Sequence, residues 1–170
     1  HRFSLDRIYR NNFEKISRLN KIRLDKNERV NEHSKLLITK LKNSINSSLI
    51  SSYPEFKFIY NKLSVKLRVK QENIILTAGA DQALKNCFEV FYKKQSEIIT
   101  LDPTYAMVDI YCKAYNTNQV KIPYDKNLQL DINKFLFSIN KKTSLIIIAN
   151  PNSPTGTIIK KDNLEKIIIK

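Results

Sequence analysis

The feature that most limits how this chain can fold is an alternation that begins near residue 74. Short apolar runs rich in β-branched residues, "NIILTAG", "EIITLDP", "QVKIPY" and "SLIIIAN", take turns with longer stretches, "ADQALKNCFEVFYKK", "TYAMVDIYCKAY" and "LDINKFLFSI". In the longer stretches apolar residues recur every three or four positions, as Leu84, Phe88 and Phe91 do, which is the spacing of one helix face. The short runs are apolar at successive positions, so they have no polar side to show to water and suit strands covered on both faces. Strand, helix, strand in repetition predicts an α/β fold: a mainly parallel sheet with helices on both faces. The expected strands lie near Ile74 to Thr77, Glu97 to Leu101, Gln119 to Pro123 and Leu145 to Ala149.

Ahead of this region the pattern is helical throughout. "EHSKLLITKLKNSINS" places Leu36, Leu37, Leu41 and Ile45 at helical spacing, and "FIYNKLSVKLRV" does the same with Ile59, Leu63 and Leu67. Between them Pro54 disfavours helical geometry at Tyr53. A helical N-terminal extension over residues 1–50 is thus expected, ahead of an α/β unit over 51–170.

At 170 residues the chain has length enough for a real core, and 42% hydrophobic with 27% charged residues is ordinary for a folded protein. The formal net charge of +14 raises the question of a phosphate-rich partner. Its Lys residues, however, are scattered through every segment and never alternate with aromatics as a base-stacking groove requires, so they read as solvated faces, with no nucleic-acid partner. No apolar run approaches the ~20 residues of a membrane span, and the opening "HRFSLDRIYRNN" has no signal-peptide core. The two cysteines, Cys87 and Cys112, fall on apolar sides of expected helices and form neither a disulfide framework nor a metal spacing. A cytoplasmic location is expected. The chain opens on His1, and "KDNLEKIIIK" closes it as a helical pattern with no stop signal, so the sequence is expected to be a piece of a longer protein.

In an open parallel sheet, ligands bind outside the carboxyl ends of the strands. Three loops occupy that place: "TAGADQ", "LDPTYAM" and "ANPNSPTG". The first passes from strand to helix through Gly79, and free N–H groups at the helix start offer an anion site; Asp81 there could equally be a plain helix cap. The second puts Tyr105 at a strand exit, either packed or presenting a flat face to a planar ring. The third holds Asn152 between Pro151 and Pro154, where its amide could meet a polar ring substituent. With only two glycines in the chain, neither GxGxxG nor GxxxxGK[ST] is present, which removes the usual nucleotide-binding signatures.

A phosphate cradle, a stacking aromatic and a polar amide together suit a phosphorylated planar cofactor. Read with "LDKNE" (24–28), "SYPE" (52–55), "ILTAGADQA" (75–83), "DPTYAM" (102–107) and "NPNSPTG" (150–156), in that order, the chain resembles the pyridoxal-phosphate-dependent aminotransferases of fold type I, and within them the histidinol-phosphate aminotransferase-like group. The resemblance implies pyridoxal 5'-phosphate as cofactor, with Ala80, Asp81 and Gln82 in the phosphate-binding turn, Tyr105 stacked on the pyridine ring and Asn152 at the ring hydroxyl. It implies that Tyr53 reaches the phosphate in a partner subunit, hence a homodimer, and that Asn27 lies in the segment closing over substrate, the extension over 1–50 belonging to a small domain or substrate lid. The activity implied is transfer of an amino group between an anionic, phosphorylated amino compound and a 2-oxo acid, in amino-acid biosynthesis or a related pathway. A phospho-amino-acid decarboxylase of the same family, or a non-catalytic α/β phosphate-ligand domain, are the alternatives.

Two positions depart from the family's pattern. Gln82 stands where Glu is frequent, which removes a carboxylate but keeps a backbone N–H, and Ser153 precedes "PTG" where many relatives carry Asn. If the ring contact belongs to position 153, Asn152 is the wrong residue. The resemblance also implies a Schiff-base Lys, an acidic partner for the pyridine nitrogen and an Arg for the substrate carboxylate, all in sequence beyond Lys170. No catalytic residue is therefore expected within these 170, and the chain alone is expected to be inactive.

Overall fold

A computed structural model describes residue 29 and residues 31–170. The chain divides into two compact units between Gln71 and Glu72. That boundary lies beyond the expected one at residue 50, because the helix following Pro54 belongs with those before it.

In the first unit, α1 (Lys35–Ser44), α2 (Ser47–Ser51) and α3 (Lys57–Leu67) follow one another. Ser34 caps α1 by accepting from the N–H of Leu37 at 3.3 Å, and Asn46 caps α2 by accepting from that of Leu49 at 2.8 Å. One helix was expected across 32–47. Asn46, with its extended backbone and capping side chain, ends that continuity and starts a second helix. None of the three helices has a buried residue.

The second unit contains α4 (Gly79–Phe91), β1 (Glu97–Asp102), α5 (Ala106–Ala114), β2 (Asn118–Pro123), α6 (Ile132–Ser138), β3 (Thr143–Ile147) and α7 (Lys161–Ile169). The strands form one parallel sheet in the order β2-β1-β3, with Ile99 of β1 opposite Val120 on one side and Ile146 on the other. Side chains alternate across a strand, and β1 shows it directly. Ile99 and Leu101 point into a core with Ile122, Phe135 of α6 and Ile167 of α7, while Ile98 points into a second core with Phe88 of α4 and with Val108 and Cys112 of α5. Helices thus cover both faces of a parallel sheet, as the alternation predicts.

The apolar run Ile74 to Thr77 is not a strand of this sheet. It leads directly into α4 with Ile75 71% exposed, and no described strand lies beside it to complete a ladder. An apolar run becomes a strand only where a neighbour takes up its backbone groups.

The topology also fixes where a ligand can bind. The chain leaves β1 for α5, on one face, and leaves the adjacent β3 for α7, on the other. Where neighbouring strands send their helices to opposite faces, a crevice opens outside their carboxyl ends. Here that place is occupied by residues 103–105 and 148–160.

Candidate cofactor site

Three segments build the site. At the first, Gly79 opens α4 with φ +82°, in the left-handed region that glycine adopts without strain, and nothing lies within 4 Å of where a Cβ would stand. The preceding residue, Ala78, provides no side-chain cap. Its own N–H is taken by the side-chain oxygen of Gln82 at 2.5 Å, and the N–H of Gly79 by the carbonyl of Thr77 at 2.8 Å. The N–H groups of the next residues, Ala80 and Asp81, have no carbonyl one turn earlier in the helix to accept them. The side-chain amide at position 82 thus serves the turn through its oxygen.

The second segment ends on Tyr105, which occupies the N-cap position of α5 and is 38% exposed. Its hydroxyl donates to Oδ1 of Asp81 at 2.7 Å, and the Tyr111 hydroxyl donates to the Asp81 carbonyl at 3.2 Å. The loop after β1 thus meets the start of α4 through residues 24 positions apart. The bond to Asp81, reinforced by partial burial and by that carboxylate's charge, holds the Tyr105 phenol above its ordinary pKa.

The third segment corrects an expectation. Asn152 was expected to offer its amide to a ring, but it is 3% exposed and every polar atom it has is engaged. Its NH2 donates to the Pro103 carbonyl at 2.9 Å and to Oγ1 of Thr155 at 2.8 Å, and its Oδ1 accepts from the Thr104 hydroxyl at 2.9 Å. Its backbone closes the loop, N–H to Thr157 O at 2.8 Å and carbonyl from Gly156 N–H at 2.7 Å. An amide with two donors and one acceptor so committed has none directed outward. Asn152 is the brace between the loops after β1 and β3, and of its two exposed neighbours, Pro151 and Ser153, only Ser153 carries a polar side chain. Asn150 braces the other end of the same loop, accepting from Ile159 N–H at 2.9 Å and donating to its carbonyl at 3.2 Å.

The structure therefore links Asp81, Tyr105, Thr104 and Asn152 in one chain of contacts at the crevice. Tyr53, in the first unit, is 97% exposed. Asn27 lies outside the described residues. Thr104, Thr155 and Thr157 were not anticipated as site residues; the Thr-Gly-Thr spacing was visible, but its partners across the crevice were not. Among the described residues no cluster of side chains could hold a metal ion, and no helix is long and apolar enough to cross a membrane.

The model for aminotransferase class I and II matches residues 21–170. The chain belongs to this family. Histidinol-phosphate aminotransferase of Moorella thermoacetica is 34% identical over 121 residues, covering 70% of this chain and 31% of the relative. That of Clostridium novyi is 30% identical over 154 residues, covering 87% and 42%. The chain thus spans about a third to two-fifths of the length of these relatives. Among solved structures, a pyridoxal-phosphate-bound putative aminotransferase from Clostridium difficile 630 superposes with a TM-score of 0.67 at 24% identity, over 80% of this chain and 38% of that one. A putative histidinol-phosphate aminotransferase from Erwinia carotovora atroseptica does so with 0.64 at 23%, over 78% and 38%. At such identities the likeness speaks for the fold: the parallel sheet and its helices are those of aminotransferase structures.

Proposed function

We propose that this chain provides the phosphate and ring side of a pyridoxal-phosphate site in an aminotransferase that moves an amino group between an anionic, phosphorylated amino compound and a 2-oxo acid. The observation carrying this reading is the Tyr105–Asp81 contact at the uncapped start of α4. A flat aromatic and a row of uncommitted N–H groups face the same crevice, and a phosphorylated planar ring is what such a pair fits. The residues present suit the group: Gly79 leaves the approach to the turn open, and Gln82 has its side chain turned back onto Ala78.

In this reading the N–H groups of Ala80 and Asp81 hold the phosphate at the positive end of the α4 dipole, and Gln82 shapes the same turn through its side chain. The Tyr105 ring lies on the pyridine, its angle set by the bond to Asp81. Ser153, and not Asn152, supplies the hydroxyl nearest the ring substituents. The cofactor is pyridoxal 5'-phosphate, which when bound supplies an aldehyde to condense with amines and a ring to accept electrons from the substrate carbon. In a cytoplasmic homodimer Tyr53 would serve the phosphate in the second subunit, and Asn27 the substrate. Histidinol phosphate is the first amino compound to test, because the named relatives of 30–34% identity are histidinol-phosphate aminotransferases.

The experiment is an amino-transfer assay on the full-length protein with 2-oxoglutarate, comparing histidinol phosphate with histidinol. Transfer that favours the phosphorylated compound at least tenfold is expected, one charged contact being worth roughly 1.5–3 kcal/mol. Release of carbon dioxide from a phosphorylated amino acid without transfer would replace this reading with the decarboxylase.

A further inference from the structure

A polar cluster lies beside the site on the α4/α5 face of the sheet, and none of the roles above uses it. Asp109, in the first turn of α5, accepts from Nε2 of Gln119 at 2.7 Å and from Nζ of Lys121 at 2.7 Å. Gln119 also donates to the fully buried Thr100 at 3.0 Å, and Lys121 stands 3.7 Å from a carboxylate oxygen of Asp102. Asp102 is the last residue of β1, and Asp109 sits one turn inside the helix that follows. Between them run Pro103, Thr104 and Tyr105. One ammonium group on β2 therefore bridges the two flanks of the short segment that carries Tyr105.

We propose that Lys121 is a positioning residue: by clasping Asp102 and Asp109 it fixes the start of α5 against the end of β1 and so holds the Tyr105 hydroxyl on Asp81. The role in cofactor binding rests on the function proposed above; the effect on Tyr105 does not.

Geometry makes the segment sensitive to this clasp. A hydrogen bond at 2.7 Å between Tyr105 and Asp81 tolerates little movement of either helix. Asn152 and Thr104 hold the segment from the β3 side. On the β2 side the polar contacts to α5 are those of Gln119 and Lys121. The partners are matched in charge as well. Burial pushes the Asp109 carboxyl up, but the bonds from Lys121 and Gln119 together with the nearby positive charges outweigh it, and its pKa lies below the usual range. The bond to Asp109 in turn raises that of Lys121. Both groups are ionised across the neutral range, so the clasp is closed there.

The test substitutes Lys121→Met, which keeps the stem and removes the charge, and Lys121→Arg, which keeps the charge. Two readouts are taken on the whole chain: the titration of Tyr105 followed by NMR of ring-labelled tyrosine, assigned with Tyr105→Phe, and the affinity for pyridoxine 5'-phosphate, which has no aldehyde to react with surface lysines. Lys121→Met is expected to bring the Tyr105 midpoint down toward an ordinary phenol and to weaken the ligand about threefold, the worth of one half-exposed ion pair, with Lys121→Arg close to wild type. Should Lys121→Met unfold the chain, Asp109→Asn gives the same reading with the side-chain shape retained. A Tyr105 midpoint unmoved in Lys121→Met, even beside a lower melting temperature, overturns the proposal and leaves the cluster a packing feature. If the wild-type chain takes up no pyridoxine phosphate but Tyr105 still shifts in Lys121→Met, the cofactor reading fails and the clasp stands.

Discussion

The helices ahead of Gln71 and the α/β unit after it use the same raw material, apolar residues at helical spacing, and arrive at opposite outcomes. In α1 to α3 no residue is buried, and Leu41 on the apolar stripe of α1 remains 53% exposed. In the second unit Phe135 of α6 and Phe88 of α4 are closed off completely or nearly so against β1. Periodicity and caps are enough to specify a helix; a core requires a second surface of matching shape, and here that surface is the two-faced sheet. Stability should accordingly be concentrated in the second unit, and order in the first should be local.

The largest effects that separate the two regions come from truncating core side chains. Phe135→Ala should cost about 3–5 kcal/mol, while Leu41→Ala should change the same urea unfolding transition by only about 0.5 kcal/mol. Equal costs would mean that α1 has a buried partner and would erase the contrast. Next comes the brace: Asn152→Ala strands the Pro103 carbonyl and the Thr104 hydroxyl inside the loop, at about 1–3 kcal/mol in the same unfolding experiment. A smaller cost would show that water replaces the amide.

Smaller still, Asn46→Ala removes the cap of α2 and should cost about 1 kcal/mol, confined to amide exchange of residues near 47–51 and absent from the global transition. A change in exchange throughout β1 would show that the two regions unfold together. The smallest effect is electrostatic. Because the folded-state pKa of Tyr105 is raised, its neutral form is the one the fold favours; that contribution is complete below the phenol's unfolded pKa and disappears as pH rises through the folded value. Stability followed from neutral to strongly alkaline pH should therefore fall less steeply in Tyr105→Phe than in wild type.

These contrasts also explain what could be read from the sequence. The strands β1, β2 and β3 were legible to within two residues, since apolar, β-branched runs between helical patterns leave few alternatives. The polar start of β3 at Thr143 and Ser144 was missed because the ladder to Glu97, and not side-chain character, carries it. The run Ile74 to Thr77 misled for the converse reason: its composition suits a strand, but pairing is a property of its surroundings. At the site, the meeting of Asp81 and Tyr105 was expected from loops at strand exits, and it occurs although the run before α4 pairs with no described strand. The inward turn of Asn152 was not, because it depends on a donor 48 residues away, the Thr104 hydroxyl, and an acceptor 49 away, the Pro103 carbonyl, that no local pattern announces.

In the proposed site the start of α4 and Tyr105 form one binding surface. The most direct measurement is a titration of the isotope-labelled chain with pyridoxine 5'-phosphate, followed residue by residue in amide NMR spectra. The expected result is saturable shifts centred on Ala80, Asp81, Gln82, Tyr105 and Ser153, lost in Tyr105→Ala while inorganic phosphate still shifts the first three. Shifts spread over surface lysines, or centred away from the start of α4 and unaffected by Tyr105→Ala, would contradict it.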